Sequence, residues 1–164
     1  MPKILMIMIQ RIQTIFLALI VILGVLFSFL PILSFSVHES VYVMKAYNTY
    51  VGLEMTEILS KNMGVGVLQG LVLIVAFITI LLFKNRSLQI KLGKLNILLI
   101  ALQIAAIVMY SDTAKNAINA DDITILLNFK IGAIIPIINL ILTYLTIHFI
   151  KKDDKLIRDA DRLR

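Results

Sequence analysis

The chain has 164 residues, 60% hydrophobic and 16% charged, with a mean hydropathy of +0.96 and a net charge of +6. Soluble domains average roughly 45–50% apolar and about 25% charged residues, so an ordinary soluble domain is excluded. No cysteine is present, which removes disulfides and thiolate metal sites.

The apolar residues are gathered into runs close to the roughly 20 residues that a helix needs to cross a bilayer. The first run, residues 12–32 (IQTIFLALIVILGVLFSFLPI), contains no charge. It is longer than the 7–15 apolar residues of a signal peptide, so it reads as an uncleaved span despite the small residues Ser34 and Ser36 beyond it. The connection that follows contains SVYVMKAYNTYVGLE (40–54), rich in Val, Tyr and Thr with partial alternation. This allows a short β-hairpin turning at Asn48-Thr49 or Gly52, or an irregular loop. MTEILSKN (55–62) reads as a short amphipathic helix leading into the second span.

The second span covers residues 63–83 and carries Gly66 and Gly70 four apart, with Gly64 before them. Small residues at that spacing let helices approach closely, and Ala101 and Ala105 on the third span offer a matching face. The glycines do not follow the spacing of a dinucleotide-binding loop, and no strand precedes them. Next comes KNRSLQIKLGK (84–94), with Lys84, Arg86, Lys91 and Lys94 and no acid. On a helix, Lys84, Lys91 and Lys94 share one stripe.

The third span is residues 95–110, followed by a polar connection with helix-capping residues. The fourth, residues 131–150, contains Pro136, where a kink is expected. The tail KKDDKLIRDADRLR (151–164) reads as an amphipathic helix. Its acids Asp153, Asp154, Asp159 and Asp161 are available to answer the cations of 84–94.

Charge sets the orientation. The N-terminal segment, the 84–94 connection and the tail hold twelve of the sixteen Lys and Arg residues, and the other two connections hold four. Lys and Arg are retained on the cytoplasmic side, so both termini and the 84–94 turn are expected inside. The cationic surface, including Arg158 and Arg162, is expected to meet anionic lipid headgroups, the tail or a partner protein. Nucleic acid is not expected, because no aromatic residues interleave with the cations for base stacking.

No Asp, Glu, Lys, Arg or His falls near the middle of a span; the polar residues there are Gln69, Thr79, Gln103, Asn139, Thr143 and Thr146. Gln103 and Asn139 fall at similar depth on antiparallel neighbours, and a hydrogen bond between them is expected to help hold the helices together. His38 is expected outside and His148 inside, so neither a histidine metal site nor a Ser-His-Asp triad can assemble. No cofactor, metal or catalysis is expected.

Three segments, MIQRIQT (8–14), FKNRSLQIKLGKLN (83–96) and KKDDKLIRDADRLR (151–164), together resemble a domain-of-unknown-function family of small bacterial four-helix inner-membrane proteins. The resemblance extends over essentially the whole chain. It implies a multi-pass protein with both ends inside and a start near Met8, and brings no activity or ligand. The expectation is a single domain (1–164), an all-α four-helix membrane bundle with an amphipathic cytoplasmic C-terminal helix. Its expected role is a non-enzymatic accessory or assembly subunit of a membrane complex, or a homo-oligomer. The alternative is a small channel or transporter for a polar solute, with Gln69, Gln103, Asn139 and Pro136 along the path.

Overall fold

Hydrocarbon offers a bare backbone no hydrogen bonds, so an apolar run that enters it must form its own, as a helix does. The computed structural model describes residues 3–37, 40–83, 85–118 and 125–162, with side chains described only between 12 and 156 of these. The runs become α1 (Lys3–Phe29), α2 (Met63–Leu81), α3 (Arg86–Ala117) and α4 (Ile131–Arg162). All four are long and apolar enough to cross a membrane. Each packs on the next in sequence, and α4 closes the ring on α1. α4 continues through Pro136 without interruption and carries the tail as part of the same helix.

The fold is not all-α. Five strands, β1 (Leu33–Val37), β2 (Ser40–Met44), β3 (Asn48–Val51), β4 (Glu57–Lys61) and β5 (Leu126–Phe129), form one antiparallel sheet. Its order is β4-β3-β2-β1-β5. The all-α expectation is therefore corrected: in place of a lone hairpin over 40–54, the first connection supplies four strands and the third connection supplies the fifth. The segment expected as a short helix, 55–62, contains β4. The polar third connection is divided, its first part extending α3 to Ala117 and its last part forming β5.

Two physical causes hid the sheet. Strands of four or five residues carry too few repeats to show a period. The inner strand β1 also takes one neighbour from a remote part of the chain, with Phe35 opposite both Tyr42 of β2 and Leu127 of β5. No local pattern encodes that second pairing. The turn between β3 and β4 needs two left-handed residues, Gly52 at φ 73° and Met55 at φ 54°. Gly52 adopts this backbone without steric cost.

The sheet sits on the end of the bundle where α1 and α3 finish and α2 and α4 begin, called here the sheet end. Leu33 and Phe35 of β1 join Phe27, Met44, Val65 and Ile135 in one buried core. The backbone continues the join, with Ile32 N donating to Met44 O at 2.8 Å and Lys130 N donating to Ile32 O at 3.0 Å. Asn62, fully buried just before α2, donates from Nδ2 to Lys45 O (3.2 Å) and to Thr49 Oγ1 (2.9 Å). One amide thus ties the β2–β3 connection to the start of a span. The opposite end of the bundle, closed by the α2–α3 turn, is called the turn end.

Candidate functional site

The bundle buries polar side chains beside apolar ones such as Leu17, Ile20, Val72, Ala76 and Ile100, and its outward surface is apolar. Ile22, Leu71, Ile74, Leu98, Leu102 and Ile141 point outward and are 42–56% exposed, as a lipid-facing surface requires. Gln13, Gln69, Thr79, Gln89, Asn96, Gln103, Asn139, Thr143, Thr146 and Asp153 are all buried, each 4% exposed or less.

Helix α3 organises this interior. Gln89, Asn96 and Gln103 are seven residues apart, so two helical turns bring each back to nearly the same face. Each finds a neighbour on another helix. Gln103 Nε2 donates to Gln69 Oε1 on α2 at 2.7 Å. Asn96 Nδ2 reaches Thr143 Oγ1 on α4 at 3.5 Å. Gln89 Nε2 donates to Thr79 O at 3.0 Å, occupying a carbonyl near the end of α2, where helical partners run out. One helical turn before Gln89, Arg86 Nη1 donates to Gln13 Oε1 on α1 at 3.0 Å, and its Nη2 lies 2.5 Å from Asp153 Oδ2 on α4.

Seventeen residues separate Arg86 from Gln103, a helical rise of about 25 Å, most of the roughly 30 Å hydrocarbon thickness. Threonines on the other helices fill the intervals. Thr79, Thr143 and Thr146 each donate to the carbonyl four residues earlier in their own helix, which leaves their oxygen lone pairs as acceptors. The result is a polar column from the turn end toward the sheet end.

The column is only partly satisfied. Gln13 Nε2, Gln69 Nε2, Gln89 Oε1, Asn96 Oδ1, Asn139 Oδ1 and both Asp153 oxygens are buried without a hydrogen-bond partner in the protein. Arg86 is the charged partner of Asp153, through the Nη2–Oδ2 contact. Buried polar atoms are ordinarily bonded to protein or water, and these orphans include both donors and acceptors.

The residues singled out from sequence divide between this column and other roles. Gln103 bonds Gln69 on α2 instead of Asn139, whose Oδ1 stays unpartnered. Gly66 is buried where a Cβ would collide with the Tyr47 ring, so its small size seats the β2–β3 connection on α2. Gly70 has open space where a Cβ would lie. Ala101 and Ala105 are exposed, and the expected small-residue contact with α3 does not form.

Arg86 turns inward, while Lys91 and Lys94 are exposed. Lys84 and His38 lie outside the described residues, as do the side chains of Arg158 and Arg162. His148 is exposed on α4. Among the described residues, no group of three or more His, Asp or Glu is placed to hold a metal.

Gln13, Gln89 and Asn96 escaped the sequence reading. The recurrence of amides at 89, 96 and 103 was the available signal. Gln89 belongs to that repeat because α3 begins at Arg86 and carries residues 86–94 of the connection as helix. Gln13, Arg86, Gln89 and Asp153 also come one or two each from the three segments MIQRIQT, FKNRSLQIKLGKLN and KKDDKLIRDADRLR, which the fold brings together at the turn end.

A protein-family model described as a domain of unknown function matches residues 9–163, a range that includes every member of the column. No curated protein matches the chain.

Proposed function

The chain belongs to the DUF4293 family of unknown function, and on that premise we propose that it is a non-enzymatic membrane protein whose polar column passes a small neutral polar solute. One observation carries the reading: buried, unpartnered amide atoms recur along the inside of a bundle whose four helices are each able to span a membrane. Between Gln89 and Gln103 the column offers amides and hydroxyls but no charge, which favours an uncharged hydrogen-bonding solute over an ion. The twelve cations on the N-terminal, turn and tail segments support a cytoplasmic turn end with both termini inside. The resemblance of those segments supports a bacterial inner membrane. Lys91, Lys94, Lys151 and Lys152, all exposed near the turn end, suit anionic lipid headgroups.

Reconstitution tests the path. Proteoliposomes of the full chain are expected to admit glycerol or urea faster than empty vesicles in a light-scattering assay. Gln103→Leu and Asn139→Leu are each expected to slow that entry. If both change thermal stability and leave permeability as it was, the column is packing and the reading is wrong.

A second reading, an accessory or assembly subunit of a membrane complex, has its own support. An apolar groove runs between α3 and α4 beside the sheet, lined by Leu33, Ile107, Val108, Phe129, Ile134 and Ile137 among others. Phe129 is 76% exposed there, the kind of apolar surface that receives a neighbouring helix. Affinity purification in mild detergent distinguishes this role. Repeated recovery of the bare chain counts against it, and a stoichiometric membrane partner supports it.

A further inference from the structure

We propose that the Arg86–Asp153 pair is the gate at the turn end of the polar column, closing the path when made and opening it when broken. The proposal rests on the solute-path reading above.

Position is the first argument. Among the described residues the pair is the last contact of the column before the turn end, and directly behind it lie Gln13 Nε2 and Gln89 Oε1, buried and unpartnered. A solute leaving Gln89 toward the turn end meets this contact next.

Its setting is the second. Asp153 follows Ile150 in a segment whose lysines, Lys151, Lys152 and Lys155, are exposed, yet Asp153 itself is 1% exposed and faces the bundle. A carboxylate in that position is held inward by its partner, because burying an unpaired charge is costly.

Third, the closed contact depends on one partner. Arg86 is the ion-pair partner of Asp153, and among the described residues no other group is seen to hydrogen-bond its carboxylate and so add the bonds that normally offset desolvation of a buried pair. A buried pair of that kind can be exchanged for a solvated one at small net cost, as a two-state element requires. The moving part follows from the bonding. Arg86 remains anchored to α1 through Gln13 when Asp153 is released, so the end of α4 swings and the start of α3 stays in place.

The test uses the full chain in vesicles of phosphatidylethanolamine and phosphatidylglycerol, with glycerol and urea as probes. Breaking the pair shifts the open population by about tenfold for each 1.4 kcal/mol of closure it supplies. Asp153→Asn and Arg86→Gln are therefore each expected to raise solute entry about tenfold. The swapped chain carrying Arg86→Asp with Asp153→Arg is expected to return toward the wild-type rate. Adding Gln103→Leu to Asp153→Asn should abolish the gain.

Two folded single variants, monodisperse on gel filtration, with wild-type permeability would overturn the gate. If Gln103→Leu still slows the wild-type chain in that case, the path stands without this gate. If no version exceeds empty vesicles, path and gate fail together. Should one single variant not fold, the other still decides, because each breaks the same contact from a different helix.

Discussion

At Asp153 a carboxylate with 1% exposure faces one guanidinium whose side chain is itself 13% exposed, and the pair holds α4 against α3. Removing one member of a buried pair is more damaging than replacing both, because the survivor keeps its desolvation cost without its partner; the single loss is typically about 3–5 kcal/mol. Arg86→Ala should therefore lower the unfolding temperature in detergent more than Arg86→Ala combined with Asp153→Ala. Losses from Arg86→Ala and Asp153→Ala that simply add in the double variant would mean that the two groups do not interact in the folded chain. Part of this pair was legible in the sequence, since the tail acids were the carboxylates available to the 84–94 cations. Which cation turned inward was not. A stripe count placed Lys84, Lys91 and Lys94 together, whereas Arg86, one helical turn before the first buried amide of α3, is the residue aimed at the bundle interior.

On the element scale, α2 shows how a motif can be present and serve a different contact. The Gly66–Gly70 spacing suggests close helix packing. In the fold, Gly66 lies under the Tyr47 ring and Gly70 faces open space. Gly66→Ala must push the ring, already 42% exposed, off the helix, and is expected to destabilise by about 1–3 kcal/mol in the manner of overpacking. Gly70→Ala should be neutral or stabilising by less than about 1 kcal/mol, since it removes a helix-disfavoured glycine and meets nothing. Thermal unfolding of the two variants side by side measures the contrast, and equal losses would refute this assignment of their roles. Helix α3 shows the reverse case. Its amides at 89, 96 and 103 form a plain seven-residue repeat, but a repeat identifies a face without saying what that face meets. Only the packed ring of helices turns the stripe toward α2 and α4, converting it from a set of tolerated polar residues into a column.

For the whole molecule, the sheet end and turn end should lie on opposite sides of the membrane. The chain has no cysteine, so single substitutions report on accessibility without background. Thr56→Cys, exposed between β3 and β4, is expected to react with a membrane-impermeant maleimide applied outside intact cells. Asn85→Cys, exposed at the α2–α3 turn, is expected to react only after the membrane is opened. The opposite pattern would reverse the proposed orientation, and labelling of both from outside would refute a barrier between the two ends.

The sequence alone determined the four long helices and the asymmetry of charge along the chain. Both are additive properties of local segments: twenty apolar residues have one good way to satisfy their backbone in lipid, and Lys and Arg counts need no knowledge of contacts. The tertiary structure decided the rest. β5 is a strand because β1 offers it an edge. Gln103 pairs with Gln69 rather than Asn139 because of how α3 is rotated against α2. The inner cluster of Gln13, Arg86 and Asp153 exists because three helix ends meet. Each of these depends on what a side chain faces, and short strands and lone polar residues carry too little local preference to settle that before the chain has packed.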